Sequence, residues 1–330
     1  MSRILTGDKL VASVRNRAMI PNDTSVYTDQ DILDIANEEM DVQLLDKLLS
    51  LHEEHLTTHI DIPRNSSGKY EIPVRAIGNK LRDVALIRGS NDIYEMHQIS
   101  IGARSDVSSN GSSSASDLFY IENNQVKLVN NETSYESIRM YFYLKPSVLT
   151  LTERAGVISN ISEDTVGNTV TFTFPKMPKN FSITNANGVT NLFDIIKSNT
   201  PNKILSYDNE VLAISNSLKT ITLNNSNGNI VVEDIKLGDY VALEEESPVP
   251  NIPTEMQPVL AQQAAVHILE AMGDTEGLAN ANRRLSKMET ATMSLVDDRV
   301  ELAPKKIKSR HGTINQGISS GRNNKNKRGY

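Results

Sequence analysis

The sequence predicts an α+β protein: a four-helix bundle built from both chain ends, a large inserted β region, and an extended C-terminal arm. Three observations lead to this prediction. Apolar residues recur at helical spacing near both ends of the chain, whereas alternation with a period of two prevails between them. The last 27 residues are basic and lack apolar periodicity. Because helices with a single apolar face need partners, the two ends are expected to pack together.

The N-terminal half of the predicted bundle covers residues 1–56. A short helix is expected over residues 6–20, ended by Pro21. Thr28 then caps a stronger helix that reaches about residue 56, with acidic residues in its first turn, where the helix dipole favours them. The predicted core residues of this half are Ile32, Ile35, Leu45 and Leu48.

The C-terminal half, residues 251–303, is predicted to be a helical hairpin that completes the bundle. Thr254 is the expected N-cap, and Gly273 and Asp274 separate the two helices. Apolar residues seven positions apart form one narrow seam along the second helix. The predicted core residues of this half are Leu260, Ile268, Leu278, Leu285, Met288 and Leu295.

Residues 57–250 are predicted to form the inserted β region, a small barrel or sandwich with sub-parts 57–151 and 152–250. A short helix is possible within it at residues 191–197, and a serine-rich loop at 108–116 is expected to be mobile. The proline-rich run at 246–253 predicts a rigid, extended connector back to the helices. The strands expected in the region are 70–74, 81–87, 92–99, 118–122, 125–129, 137–145, 169–174, 210–214, 219–223 and 240–243.

Composition excludes several classes of protein. The chain has no cysteine, which removes disulfide and thiolate chemistry. No apolar run approaches the roughly 18 residues of a membrane span, and no signal-peptide core follows Met1, so we expect a cytosol-like compartment and no membrane. Residues 1–303 hold 26 Lys and Arg against 41 acids, a net charge of −15, whereas the tail, residues 304–330, carries +8. A basic arm on an acidic body predicts an anionic partner.

Two short motifs resemble a metal site and a hydrolase site, but neither has the spacing or context that such a site requires. His52, His55 and His59 would share one face if the helix continued, yet their spacing differs from a zinc-binding His-Glu-x-x-His, and a histidine-rich helix end is the favoured interpretation. Residues 317–321 match the Gly-x-Ser-x-Gly of serine hydrolases but lack the strand and helix that this motif requires. We therefore predict no enzyme activity, no metal and no cofactor.

Three interpretations of the basic tail remain open. As a nucleic-acid arm it would neutralise phosphates with Lys and Arg, although it holds only one aromatic residue for base stacking. As a protein-docking arm it would order in a partner's groove through spaced hydrophobic anchors. As a solvated tail it would bind nothing. The hydrophobic spacing favours docking.

Several short runs resemble one family of proteins. They are TDQDILDIANEE at 28–39, YEIPVRAIG at 70–78, LGDYV at 237–241, ESPVPNIP at 246–253 and AMGDTEGL at 271–278. Together they look like segments of the head-to-tail connector (adaptor) proteins of tailed bacteriophages, in particular the ring protein under the portal of short-tailed or crAss-like phages. The resemblance covers most of residues 25–300. The serine-rich loop and the large insertion depart from the smallest, all-helical members of that family.

The resemblance implies a structural virion protein at the portal vertex, assembled in the host cytoplasm and involved in genome ejection. It implies a homo-oligomeric ring, commonly of twelve copies, that docks on the portal protein, presents a platform to downstream tail or nozzle proteins, and continues a channel for double-stranded DNA without binding it specifically. The C-terminal arm would bind the portal. The residues assigned to that docking arm are Lys305, Lys306, Ile307, Lys308, Arg310, Ile314, Ile318, Arg322, Lys325, Lys327, Arg328 and Tyr330.

Two rival classes of protein are distinguishable by experiment. A nucleic-acid-binding accessory protein would shift DNA mobility in a salt-dependent way through the tail. A carbohydrate-binding or carbohydrate-hydrolysing tail protein would bind glycans through residues 57–250, but the scarcity of aromatic platforms there argues against it.

Overall fold

The computed structural model describes residues 4–21, 26–51, 53–89, 92–103, 118–130, 134–199, 203–226 and 228–296. Within these residues, 17 strands form four sheets, and the α-helices lie only toward the two ends of the chain. The predicted fold class, a four-helix bundle carrying one inserted β region, is therefore wrong, because the protein is mostly β. Helical periodicity reports local amphipathicity, whereas pairing between distant strands leaves no local trace in a sequence.

Five α-helices make up what we call the helical layer. In chain order they are α1 (Gly7–Ala18), α2 (Asp29–Glu39), α3 (Leu45–Leu51), α4 (Gln257–Met272) and α5 (Thr275–Val296). A π-helical turn, Met40–Leu44, joins α2 to α3. The helical run ends at Leu51 rather than near residue 56, because a 3₁₀ turn and then the β-branched pair Thr57-Thr58 follow it.

Capping explains where the helices begin. Thr28 caps α2 as predicted: its hydroxyl accepts from the Asp31 N–H at 3.1 Å, and the Asp31 carboxylate accepts from the Thr28 N–H at 2.7 Å. The prediction of Thr254 as an N-cap is wrong. Its hydroxyl donates to Glu255 instead, and α4 begins at Gln257 after Met256. At the other end of α4, Gly273 adopts φ 72°, the left-handed C-cap conformation that favours glycine.

Helix α4 is the centre of the helical layer, and it contacts α1, α2 and α5. Three buried alanines at 261, 264 and 265 let these neighbours approach closely. Of the predicted core residues, Ile32, Leu45, Leu48, Leu260 and Ile268 are buried, and Ile35, Leu278, Leu285 and Met288 are partly buried against the same cluster. Leu295 is 60 % exposed, so its assignment to the core is wrong. The helices of the two chain ends therefore share one hydrophobic core.

Two sheets built from residues 57–144 share a second core. The first has the order β1-β8-β3-β4 and the second β2-β7-β6-β5. The core residues include Tyr70, Val84, Val126 and Phe142. The strands are β1 (Thr57–Pro63), β2 (Lys69–Glu71), β3 (Ala76–Arg88), β4 (Asp92–Glu95), β5 (His97–Gln98), β6 (Leu118–Glu122), β7 (Gln125–Leu128) and β8 (Ser137–Leu144).

Strands from residues 156–243 form one seven-stranded sheet, in the order β10-β16-β13-β14-β15-β12-β11. The long strand β14 pairs with β13 through its first half and with β15 through its second, so the sheet encloses a third core around Phe172 and Phe193. The strands are β10 (Gly156–Val157), β11 (Asn160–Asp164), β12 (Thr169–Thr173), β13 (Leu192–Ile196), β14 (Ile204–Ser215), β15 (Thr220–Asn224) and β16 (Tyr240–Leu243).

Strand β13 occupies the place where a short helix was predicted, at residues 191–197. The prediction was wrong because a short apolar run buried on both faces has the same pattern in either structure. Phe193, Ile195 and Ile196 are all fully buried, and β14 and β16 flank the strand on either side.

A two-stranded parallel sheet joins the helical layer to the β structure. It consists of β9 (Val148–Leu149) and β17 (Glu246–Ser247), so the predicted proline-rich connector begins as a strand. The Gly7 N–H donates to the Pro248 carbonyl at 2.8 Å. The Asn37 amide bonds both the N–H and the carbonyl of Leu149, at 2.7 and 3.2 Å. None of the helices in the described ranges is both long and apolar enough to span a membrane.

Candidate functional site

The predicted docking arm, residues 305–330, lies outside the described residues, and its role stays a prediction. His52 lies outside them as well. His55 ends a 3₁₀ turn and His59 belongs to β1, so the continuous helix needed to align the three histidines does not form. In the part of the chain that the structure describes, no group of three His, Asp or Glu side chains could hold a metal ion.

A buried arginine lies where the two β parts of the chain meet. Arg75, in the loop between β2 and β3, is 3 % exposed. Its Nη1 donates to Asp194 at 2.7 Å and to Asp208 at 3.3 Å, and its Nη2 donates to Ser147 at 3.0 Å. The guanidinium also lies over the Tyr207 ring, 5.7 Å from its centroid. One side chain therefore joins the loop after β2, strands β13 and β14, and the segment before β9.

The carboxylate of Asp194 completes this junction. It is fully buried in β13 and also accepts from the backbone N–H groups of Asp208, at 3.0 Å, and Glu245, at 3.2 Å. Burial raises the pKa of Asp194 to about 6, and the nearby Arg75 charge offsets this effect only in part. At neutral pH the Asp194 carboxylate is therefore ionised and paired with Arg75.

Two further carboxylates form the exposed rim of this junction. Glu244 and Glu245 lie in the turn between β16 and β17, and we call them, with Asp194 and Asp208, the acidic cluster. Burial, and then repulsion by Asp208 and Glu245, raise the pKa of Glu244. Asp194 and Asp208 thus contact the arginine directly, and neither glutamate of the rim has an ion pair within the described residues. Because Asp194 is buried, the cluster presents Asp208, Glu244 and Glu245 to solvent.

The raised pKa of Asp194 predicts a pH dependence of stability. Between about pH 4 and pH 6 the folded protein holds a proton on Asp194 that the unfolded chain has released, so folding takes up a proton there. Lowering the pH from 7 to 5 should therefore stabilise the wild type relative to an Asp194→Ala variant, in which this group is absent. Urea unfolding of both proteins at several pH values measures the difference. An unchanged or smaller difference at pH 5 would contradict the assignment.

A second charged surface lies in the helical layer. Lys9 and Arg17 of α1 and Arg284 of α5 line an open groove of about 550 Å³ together with Ser13 and Asn16. Its floor is held in place because Arg17 Nη1 donates to Gln262 at 2.8 Å, and Arg17 Nε donates to Ser13 at 3.2 Å. We call this surface the basic groove.

The cations of the basic groove have no carboxylate partner within the described residues. Burial and the neighbouring charge of Arg284 lower the pKa of Arg17. Two arginines therefore repel each other across the groove, in a body whose acids outnumber its bases by 15. Such an arrangement can bind an anion supplied from outside the chain.

Neither surface was identified from the sequence. One signal was present: Asp194 interrupts the apolar run Leu192–Ile196, and a lone carboxylate in a buried strand requires a counter-charge. The identity of that partner, Arg75, could not be derived, because 119 residues separate the two. The basic groove gave no signal, because Arg17 and Arg284 are ordinary polar residues of amphipathic helices.

No protein-family model matches the sequence, and none of the curated proteins matches it either. The resemblance to connector proteins therefore rests on the short runs described above, and function has to be argued from charge and exposure.

Proposed function

We propose that the protein is a structural virion component, a head-to-tail connector that docks under the portal as a ring and continues the DNA channel. The observation that carries this proposal is the position of α5. Most of its residues are exposed, and its last turn presents Leu295 to solvent just before the basic tail begins in the sequence. In the proposed assembly, the tail that follows this helix in the sequence would bind the portal.

The helical layer supports the proposal by fixing that helix to the rest of the chain. Lys47 of α3 pairs with Glu289 of α5 at 2.6 Å, and Gln262 of α4 donates to the Ala281 carbonyl at 3.3 Å. Leu278, Leu285 and Met288 pack against the shared core along one side of α5. One face of α5 is therefore packed against the core, and the other is exposed to solvent. An assembly subunit needs such an exposed face for contact with its neighbours.

The charge distribution fits the same role. The net charge of −15 on residues 1–303 would repel DNA from a channel wall, so that the genome passes without adhering. It would also keep the free subunit soluble before assembly. The β structure would widen the ring and present a platform to downstream tail proteins.

Deleting residues 304–330 tests the docking role directly. The truncated protein should fold, because the three hydrophobic cores are built from residues that precede the deletion, and it should lose portal binding. Co-sedimentation with purified portal rings measures this loss. Undiminished portal binding by the truncated protein would refute the docking arm.

Two full-length variants distinguish the contribution of the hydrophobic tail residues to portal binding from that of the tail cations. In one, Ile307, Ile314, Ile318 and Tyr330 become serine; in the other, the eight tail cations become glutamine. Docking through hydrophobic anchors predicts that the serine variant loses portal binding more completely than the glutamine variant.

A nucleic-acid-binding accessory protein is the second candidate, favoured by eight cations within 27 residues. This candidate predicts that the wild type and the serine variant cause a salt-dependent mobility shift of DNA and that the glutamine variant causes none. A shift of that kind together with no portal binding would replace the connector proposal.

A further inference from the structure

The basic groove and the rim of the acidic cluster, Glu244 and Glu245, are two charged surfaces whose ionic side chains have no ion pair within the described residues. We propose that the basic groove of one copy binds the acidic cluster of the next copy, so that each contact in the assembly uses one surface from each neighbour. This inference rests on the proposed ring and names the residues that would hold it together.

The side chains of the basic groove are already oriented to bind an anion. Arg17 is half-buried and oriented by Ser13 and Gln262, so its guanidinium has already lost much of its hydration and mobility. A carboxylate entering between Arg17 and Arg284 would replace their repulsion with two charge-assisted hydrogen bonds. Met19, at the end of α1, is 90 % exposed beside the groove, and exposed Met and Arg together are typical of protein interfaces.

The acidic cluster presents its rim outward. Glu244 and Glu245 are exposed, whereas Arg75 lies buried beneath them and is already paired with Asp194 and Asp208. Asp208 and Glu245 both have left-handed backbone conformations, with φ of 56° and 60°. Non-glycine residues are held in such conformations at a cost, and they concentrate at functional surfaces. Asp208 directs its carboxylate to Arg75, whereas Glu245 has no ion pair within the described residues.

A second copy of the chain would account for both surfaces. DNA would be repelled by the acidic cluster, and three cations are too few for the phosphate track of a duplex. An acidic peptide would occupy the groove but leave the cluster uncompensated. Different patches meeting head to tail generate a closed ring when the rotation between copies closes.

Charge reversal on each surface tests the pairing. Arg17→Glu with Arg284→Glu, and separately Glu244→Lys with Glu245→Lys, should each weaken self-association by about a hundredfold, because like charges would then face each other. Mixing the two variants should restore association, since each supplies the charge the other needs at alternate contacts. Sedimentation velocity of the full chain, with and without portal, measures the assembly.

Two control variants carry the same charge changes elsewhere. Lys176→Glu with Lys179→Glu matches the first reversal, and Glu233→Lys with Asp234→Lys matches the second, both at exposed positions. The controls should assemble like the wild type. Thermal unfolding checks that every variant is folded before its assembly is compared.

The outcomes separate this inference from the proposed function. If the wild type assembles and the charge-reversed variants assemble equally well, or if mixing them restores nothing, the pairing is overturned while the connector proposal stands. If the wild type remains a monomer with and without portal, both are overturned. Restored assembly only in the mixture supports the pairing.

Discussion

Replacing Asp194 with alanine should lower the free energy of unfolding by about 3–5 kcal/mol, because it leaves the buried Arg75 guanidinium and two backbone N–H groups without their hydrogen-bond acceptor. The carboxylate accepts from Arg75 at 2.7 Å and from two backbone N–H groups, those of Asp208 and Glu245. Arg75 is 3 % exposed, so water cannot replace the lost partner without opening the junction. The substitution should therefore loosen the contact between the two β parts of the chain.

The neighbouring Asp208→Ala variant is the matched control. Its carboxylate lies 3.3 Å from the same Arg75 nitrogen and its side chain is 35 % exposed, so we expect a loss of only about 1 kcal/mol. Urea unfolding, followed by circular dichroism, compares the two. A cost for Asp194→Ala no larger than that for Asp208→Ala would show that the buried pair does not hold the junction.

A double variant distinguishes the charge from the packing. Arg75→Met combined with Asp194→Leu removes both charges and keeps apolar volume in the junction. Because an unpaired buried charge costs more than the absence of the pair, the double variant should be more stable than Asp194→Ala. A double variant that is less stable would show that the hydrogen bonds to Ser147 and the backbone matter more than the charge.

Local signals in the sequence predicted the local elements. The capping residues Thr28 and Asp31 fixed the start of α2, and strict alternation identified β8. The predicted strands at 118–122 and 125–129 form the hairpin of β6 and β7, and its turn residues Asn123 and Asn124 have left-handed φ angles of 53° and 58°. In each case the physical cause lies within a few residues of its effect.

The fold class could not be derived in the same way. Which strands neighbour each other depends on contacts over long separations, as between β1 and β8 or between β9 and β17. The prediction for Leu295 failed for the same reason, a dependence on contacts with distant residues, although Leu295 lies in a helix. Its heptad position is correct, but burial needs a facing residue, and the last turn of α5 leaves it 60 % exposed.

The basic groove and the acidic cluster were even harder to predict from the sequence than the fold class. Net charge indicated an acidic body, but not that Glu244 and Glu245 would lie above a buried arginine or that Arg17 and Arg284 would face each other. Charge pairing is a property of three-dimensional neighbours. The tail is different, because its charge and its spaced hydrophobic residues can be read from the sequence alone.

Replacing Gly7 with alanine should destabilise the protein by about 3 kcal/mol, although alanine is the better helix former. Gly7 begins α1, where its N–H donates to the Pro248 carbonyl and the backbone of Thr150 lies against it. A Cβ at Gly7 would lie 2.1 Å from the Thr150 carbonyl oxygen, far inside contact distance. Since the obstacle is backbone, no side-chain rotation can relieve it, and α1 must move away from the connector.

Gly102→Ala provides the control for this substitution. Gly102 also lies in a helical turn, but an added Cβ would meet nothing within 4 Å, so its stability should stay within about 0.5 kcal/mol of the wild type. Urea unfolding measures both variants, and hydrogen exchange should show faster opening of α1 in Gly7→Ala alone. If Gly7→Ala is as stable as Gly102→Ala, α1 is not held against the connector. The helical layer would then be joined to the β structure through its other contacts, among them the two hydrogen bonds of Asn37 to Leu149 and that of Thr152 to Asp8.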